Sequence, residues 1–347
     1  MGIYLVMTLL SCLIYFILDR FSKKKSFLKI FIALLPMCIT SAIRYDVGWD
    51  YLKIYTNGFF LIGKGYMPHY FSEIPFDFLV KKIYIVSNQN PDWLFIICSV
   101  LTFIFLTKAI KDQSINVVFS ILLVFLIRYY FLTLNIVRQG IAMSIILCSY
   151  RFIKERNFKK YVITILLASC FHLMSLIYIP IYYIYMIDWK KKKNILLTII
   201  LPIFAIIIYF AVLKYTKYGG YINSIYNDNN FLIHEIILSG TILFLAIMEK
   251  KNVVIEKEYF DTYFPMQILI FIVSVCSKFL PVADRIVWLL YIQYIFFIPI
   301  IIKNIKKSSQ RILVTICLIM LMFTSVYMQT EISDSYNIIP YKTIFQK

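Results

Sequence analysis

Residues 30–42 read IFIALLPMCITSA, and residues 43–51 follow directly as IRYDVGWDY. The first stretch is apolar enough to lie in lipid. The second contains an arginine, two aspartates and three aromatic residues around one glycine. Ionisable groups at membrane depth are costly, so each marks a candidate functional site. This junction predicts a membrane helix that ends at a place for polar chemistry.

The composition of the whole chain is that of a membrane protein. Of the 347 residues, 61% are hydrophobic and 16% are charged, and the mean hydropathy is +0.79. Soluble domains are about 45–50% apolar and about 25% charged. No linker or shift in composition divides the chain. The sequence therefore predicts a single integral membrane domain over residues 1–347.

Apolar runs of about 17–25 residues are candidate membrane spans. Together with a pair of short helices at residues 161–187, they predict an all-α, polytopic membrane helix bundle of about 10–12 membrane segments. The candidate spans are 3–19, 27–43, 92–108, 115–134, 136–153, 195–213, 232–248, 260–280, 285–302 and 312–328.

Basic residues lie in short clusters between the apolar runs. Such clusters mark cytoplasmic loops, so the net charge of +18 does not indicate a nucleic-acid partner. This rule places both termini outside, with the outer stretches 44–91, 214–231 and 329–347. The clusters are at 20–29, 151–160, 190–193, 250–257 and 303–311.

Two segments depart from simple spans. Residues 161–187 lie between two basic clusters but are too few for two full spans, which predicts a broken or re-entrant pair of short helices meeting near Ser169–His172. One long helix with a flank on the other side is the alternative. Residues 75–89 predict an interfacial helix, with Asp77 off its apolar face. That face consists of Phe76, Leu79, Val80, Ile83 and Val86.

Four arginines at or near the outer ends of spans are candidate anion ligands: Arg44, Arg128, Arg138 and Arg285. Arginine offers a planar fork of donors that matches phosphate oxygens. Snorkelling, or pairing with Asp46, Asp50 or Asp284, is the alternative for each.

Other residues of the opening stretch suit work on a sugar. Gly48 permits a tight turn that brings Asp46 and Asp50 together, and one of such a pair can accept a proton from a hydroxyl. The aromatic residues Tyr45, Trp49 and Tyr51 offer faces for sugar rings, or form an ordinary interfacial belt.

The remaining chemistry-bearing residues give weaker signals. His172, in ASCFHLMSL, is either a core histidine or a phosphate or proton-relay group. Two carboxylates are a weak metal signal, and the seven cysteines lie in apolar runs without a C-x-x-C motif, so no metal and no cofactor is predicted.

Three stretches resemble the EpsG family of Wzy-like bacterial polysaccharide polymerases: RYDVGWDY (44–51), NIVRQGIAMSIILCSYRFIKERNFKK (135–160) and ASCFHLMSLIYIPIYY (168–183). Trp49 departs from the pattern, since the family commonly has a small polar residue there. The matching residues are Arg44, Val47, Gly48, Asp50, Tyr51, Arg138, Gln139, Ala168, Ser169, Phe171, His172, Ser175, Arg285 and Pro340–Tyr341–Lys342.

The resemblance implies a GT-C-like glycosyltransferase on the outer face of the bacterial cytoplasmic membrane. Such an enzyme joins undecaprenyl-diphosphate-linked oligosaccharides into capsular, exopolysaccharide or O-antigen chains, with membrane lipid, a flippase and a chain-length regulator as partners. The expected catalytic residues are Asp50, Arg138, Arg285 and His172. The expected substrate-binding residues are Arg44, Tyr45, Asp46, Trp49, Tyr51, Arg128, Gln139, Asp284 and Tyr341.

Other functions fit parts of the same pattern. A transporter or flippase of the lipid-linked oligosaccharide also needs arginines at membrane depth, strung along a path to both faces. A membrane acyltransferase that modifies the polysaccharide also relies on an embedded histidine. A purely structural subunit is the remaining alternative.

Overall fold

The structure is a computed structural model that describes residues 1–66, 73–186, 232–255, 257–280 and 283–346, with the single residues Ile200, Ile207 and Lys214. These residues form helices and loops, with one isolated antiparallel bridge between Arg44 and Thr343. The all-α prediction is confirmed. Apart from the three single residues, the predicted span 195–213 and outer loop 214–231 lie outside the described residues.

The helices are labelled here in chain order over the described residues. Three shorter helical turns, Tyr51–Thr56, Leu173–Ile177 and Cys276–Phe279, lie between them. The helices are α1 Gly2–Phe21, α2 Phe27–Ala42, α3 Asn57–Gly63, α4 Ile74–Val86, α5 Asp92–Gln113, α6 Val117–Leu126, α7 Tyr129–Asn135, α8 Val137–Lys154, α9 Phe158–Ser169, α10 Tyr178–Tyr185, α11 Ile233–Glu249, α12 Lys257–Val275, α13 Ala283–Tyr291, α14 Tyr294–Asn304 and α15 Ser308–Tyr327.

Polar residues in the loops fix where several helices begin. The Ser26 side chain accepts a hydrogen bond from the N–H of Lys29 at the start of α2, at 3.3 Å. Asn116 does the same for Phe119 at the start of α6, at 3.1 Å. Each cap satisfies an N–H that has no partner within its own helix, so the apolar run after it begins as a helix there.

The chain forms two compact units. The first contains Met1–Ser149, Ile163–Ser175 and Phe323–Lys347, and the second contains Tyr150–Val162 and Leu176–Met322. In the first unit α2 packs against α1 and α5, and α1 also packs against α6. In the second unit α12 packs against α10, α11, α13 and α14.

Several predicted spans are shorter or bent helices. Among the described residues four helices are long and apolar enough to cross a membrane, and up to six spans result if each of two bent pairs counts as one. The candidate spans 115–134 and 285–302 are each a bent pair of helices and not one continuous helix. The pair α6 and α7 is bent by 54°, and the pair α13 and α14 by 53°.

The backbone explains both bends. Arg128 has φ +65°, so the chain leaves the right-handed helical conformation between α6 and α7. Between α13 and α14 the backbone hydrogen bonds connect residues three apart and not four apart, as in a 3₁₀ turn. The N–H of Ile295 donates to the carbonyl of Ile292 at 3.3 Å. No proline lies at either break, so the sequence gives no local signal for the two bends.

The two segments singled out in the sequence are helical. The prediction of a broken helix pair within 161–187 is confirmed, because α9 ends at Ser169 and a tight turn at Leu173–Ile177 precedes α10. In α4 the prediction for two residues is wrong: Asp77 is buried and Val86 is exposed. Packing of α4 on α3 selects a buried face rotated from the one that hydropathy suggests.

The first unit has two chemically different ends. At one end the Tyr4 hydroxyl donates to the carbonyl of Ile338 in the C-terminal segment, at 2.9 Å. At the other end of α1 the Lys29 ammonium donates to the Asp19 carboxylate at 2.7 Å, within the basic cluster 20–29. The first end brings parts of two stretches predicted to lie outside, 44–91 and 329–347, together, and its outward orientation stays a prediction.

Candidate functional site

Arg138 lies at the start of α8, where its guanidinium pairs with a carboxylate that sequence reasoning missed. The partner is Glu73, the residue before α4. Both side chains are largely buried, with exposed fractions of 13% for Arg138 and 2% for Glu73. The guanidinium carbon also lies 5.9 Å from the centre of the Phe76 ring. Arg138 is therefore fixed at the candidate site by both an ion pair and a ring.

Tyr55 connects Arg138 with Asp50, the predicted general base. The backbone N–H of Arg138 donates to the Tyr55 hydroxyl at 3.3 Å. Burial raises the pKa of Tyr55 to about 12; the charge of Arg138 lowers it and that of Asp50 raises it. The phenol is therefore neutral near pH 7. Asp50 lies directly before the turn Tyr51–Thr56, which carries Tyr55, so Asp50 and the contact between Tyr55 and Arg138 lie in the same part of the first unit.

The turn that carries His172 reaches the same cluster. The N–H of His172 donates to the carbonyl of Ala168 at 3.0 Å and closes α9. The next N–H, that of Leu173, donates to Oε1 of Glu73 at 3.3 Å. The Phe171 ring packs edge-on against Phe76, with ring centroids 6.3 Å apart. His172 is buried, and the residue after it contacts Glu73 through its backbone N–H.

Arg44 has a different environment. Its side chain is 1% exposed, and it donates to the backbone carbonyl of Ser41 and, at 3.3 Å, to that of Leu134. The guanidinium lies over the Phe95 ring, with its carbon 4.9 Å from the ring centre. Burial lowers the pKa of Arg44. These contacts hold the end of α2 against α5 and α7, and contact with substrate stays a prediction.

The loop 43–51 is held by its backbone. The N–H of Gly48 donates to the carbonyl of Asn337 at 2.8 Å. The N–H of Trp49 donates to the Asn135 side-chain oxygen at 2.7 Å, and the Asn135 amide donates to the carbonyl of Tyr336 at 3.0 Å. Asn135, which sequence reasoning missed, therefore joins the loop to the C-terminal segment.

The predicted sugar-stacking residues differ in exposure. Tyr51 is buried and stacks on Phe95 with ring centroids 3.9 Å apart. Tyr45 meets the Tyr51 ring edge-on at 5.9 Å. Trp49 is 53% exposed, so of the three its ring is the most open to a ligand. In the C-terminal segment the Tyr341 hydroxyl donates to the carbonyl of Thr40 at 2.8 Å.

The other predicted residues are placed as follows. Arg128 and Gln139 are each 2% exposed at the two ends of the α7 region, and Asp46 is half-buried with φ +50°. Asp284 and Arg285 lie in the first turn of α13, in the second unit. The convergence of Arg285 with Arg138 therefore stays a prediction.

The described residues also contain a cavity and no cluster suited to a metal. Over the described ranges, no group of three or more His, Cys, Asp or Glu side chains is arranged to hold a metal ion. A cavity of about 450 Å³ lies between α4 and α5. It is lined by Lys82, Ile83, Val86, Ser87, Asn88, Trp93 and Ile97.

The profile described as the EpsG family matches residues 27–343, nearly the whole chain. The chain belongs to the EpsG family. No curated protein and no solved structure matches it. EpsG membership, together with the apolar helices, supports a role in polysaccharide biosynthesis at a membrane.

Proposed function

We propose that this EpsG-family protein is a glycosyltransferase that polymerises oligosaccharide repeat units carried on undecaprenyl diphosphate, on the outer face of the bacterial cytoplasmic membrane. The products are capsular, exopolysaccharide or O-antigen chains. One observation carries the proposal: at one end of the first unit Arg138 contacts Tyr55 and Glu73, which lie far from it in the sequence. Glu73 also accepts from the backbone of Leu173, next to His172, and Asp50 lies directly before the turn that carries Tyr55.

The reaction needs a base and a site for a departing anion. A hydroxyl oxygen of the acceptor sugar attacks the anomeric carbon of the growing chain, and the bond from that carbon to the diphosphate oxygen breaks. The electron pair leaves with undecaprenyl diphosphate. The hydroxyl proton passes to the Asp50 carboxylate, which suits general-base work.

Arg138 is the proposed stabiliser of the leaving group. Negative charge builds on the diphosphate as the bond breaks, and a fixed cation stabilises that charge most strongly where water is excluded. Arg285 is proposed to add a second guanidinium, and His172 to orient a phosphate or relay the proton. Trp49, with its exposed ring, is proposed to contact a sugar.

Charge placement favours an enzyme over a transporter. A transporter would place its anion ligands along a route to both faces. Within the first unit the polar cluster lies at the end that holds the loop 43–51, and the opposite end holds the basic cluster with Lys29. A flippase and a chain-length regulator of the same pathway are proposed as partners.

Deletion of the gene in its native host tests the polymerase assignment. We expect loss of high-molecular-weight glycan on a gel, while single repeat units are still made and exported, because only the joining step is missing. Single units that accumulate inside the cell would instead indicate the transporter. A full-length glycan that lacks an acyl group would indicate the acyltransferase.

Purified variants test the assigned roles. We expect Asp50→Asn to lower the rate of glycan lengthening about 10²-fold to 10⁴-fold, the usual contribution of a general base. Arg138→Lys should cost about 10²-fold to 10³-fold, as for loss of one fixed donor to a developing anion. The controls are Glu155→Gln and Arg151→Lys, which alter an exposed ion pair of 3.2 Å. Wild-type rates for Asp50→Asn and Arg138→Lys would refute the assignment.

A further inference from the structure

Glu73 joins three segments of the first unit through one carboxylate. Its Oε2 accepts from the Arg138 guanidinium at the start of α8. Its Oε1 accepts from the N–H of Leu173 in the turn after α9, at 3.3 Å. Glu73 itself lies directly before α4. Each oxygen therefore has a donor from a different part of the chain.

The chemistry of this contact requires a carboxylate. An ionised carboxyl group is acceptor-only and receives donors at both oxygens, whereas an amide has one accepting oxygen and one donating nitrogen. The Glu73 side chain is 2% exposed, so water does not supply a substitute partner at this site. A buried ion pair adds little to stability over a well-packed apolar pair, but it fixes geometry when every oxygen has a donor.

We propose that Glu73 is a positioning residue for the diphosphate site: it holds the Arg138 guanidinium and the His172 turn at a fixed separation. This inference rests on the proposed function. With Glu73 in place, the Arg138 guanidinium and the turn that carries His172 are held at the same diphosphate site. Glu73 itself does not touch the substrate.

Two substitutions at Glu73 separate the geometry from the charge. Glu73→Gln keeps the size of the side chain, but its amide faces one of the two donors with a donor of its own. Glu73→Asp keeps the charge but is one methylene shorter, so it cannot reach both donors. We expect each to lower kcat for glycan lengthening about 10-fold to 100-fold, the size of effect seen when a group that orients a ligand-binding side chain is removed.

Binding distinguishes positioning from a general loss of folded protein. Both variants should bind undecaprenyl diphosphate within about threefold of the wild-type Kd, because Arg138 keeps its charge. The transition state is more sensitive than ground-state binding to a misplaced donor. The matched control is Asp19→Asn, which removes the carboxylate from Lys29, 2.7 Å away at the other end of the unit. It should leave both kcat and Kd unchanged.

A charge reversal provides the second test. The double variant Glu73→Arg with Arg138→Glu restores an ion pair at the same place, but the guanidinium then lies at position 73 and the carboxylate at position 138. We expect its Tm to return toward the wild-type value from the lower values of the single variants Glu73→Arg and Arg138→Glu, while glycan lengthening stays far below the wild-type rate. Restored polymerisation would mean that only the pair matters, and would overturn the proposal.

Three further outcomes decide the matter. Values of kcat within twofold of wild type for Glu73→Gln and Glu73→Asp overturn the inference and leave the polymerase assignment intact. If every Glu73 variant fails to fold while Asp19→Asn folds, Glu73 is a brace and the inference is overturned. If the wild-type protein lengthens no glycan, the proposed function fails, and this inference fails with it.

Discussion

Gly48 occupies the tightest point of the loop 43–51. Its φ is +101°, and a Cβ built on it would lie 2.7 Å from the carbonyl oxygen of Leu134. Glycine is needed twice over here, for the left-handed backbone and for the close approach of α7. The placement of Asp50, two residues later, depends on this contact.

Gly48→Ala should therefore destabilise the protein and lower activity. We expect a cost of about 1–3 kcal/mol from backbone strain, with a further loss from the clash. Thermal unfolding in detergent measures the loss of stability, and the rate of glycan lengthening measures the loss of activity. Gly65→Ala is the control, because Gly65 has φ +91° but open space around its Cβ. Equal effects at the two positions would show that the close approach is unimportant.

The sequence pointed to only some of the buried charged residues. The four arginines stood out because cations near lipid are rare. Glu73 did not, because it lies in a polar outer stretch, 65 residues from Arg138, where an acidic residue is unremarkable. Tyr55 was equally hidden among 28 tyrosines. Their roles depend on contacts between distant segments, which one sequence does not encode in any local pattern.

At the scale of elements, the break between α6 and α7 is the clearest departure from the apolar pattern. Residues 115–134 carry no internal proline or glycine, and hydropathy alone gives one span. α6 ends at Leu126 instead, and Arg128, directly before α7, has a left-handed conformation that costs a non-glycine residue roughly 1–2 kcal/mol. Surrounding packing therefore determines the bend, since local preference opposes it.

A pair of substitutions at Arg128 tests this explanation. Arg128→Gly and Arg128→Ala both remove the guanidinium, but only glycine adopts φ +65° without strain. We expect the glycine variant to unfold at a higher Tm, by the equivalent of about 1 kcal/mol. Lys108 is the control, because it is exposed within the regular helix α5. There the glycine variant should be less stable than the alanine variant by about 1 kcal/mol.

If the Tm of Arg128→Gly is lower than that of Arg128→Ala, the bend is not a source of backbone strain. Activity is a separate readout of the same pair. Both variants should lose activity if the guanidinium binds the substrate, as the sequence predicts. Activity retained in the glycine variant alone would assign Arg128 to the backbone geometry of the bend.

At the scale of the whole molecule, sidedness is the property on which the proposed function depends. The basic clusters predict that the end of the first unit with Lys23 faces the cytoplasm and the end with Trp49 faces outward. Both positions are exposed: the Trp49 residue is 53% exposed and the Lys23 side chain 83%.

Cysteine labelling tests the orientation. In a background without the seven natural cysteines, Trp49→Cys should react with a membrane-impermeant maleimide in intact cells, because the site faces outward. Lys23→Cys should react only after the membrane is permeabilised, and it serves as the control for an intact barrier. The opposite pattern would place the polar cluster in the cytoplasm and exclude a reaction on the outer face.

The sequence by itself determined the class of this protein. The length of the apolar runs, the basic clusters and the EpsG pattern are local properties of the sequence, so one sequence is enough to recognise them. The helix break after Ser169 was also predictable, because the space between two basic clusters is too short for two spans.

Only the tertiary structure decided how the candidate site is assembled. It paired Arg138 with Glu73, brought the His172 turn to the same carboxylate and buried Arg44 among carbonyl oxygens and rings. It also bent two apolar runs, 115–134 and 285–302, which hydropathy identifies only as candidate spans. The physical reason is the same in each case: partners far apart in the chain satisfy buried polar groups, and their identity depends on packing.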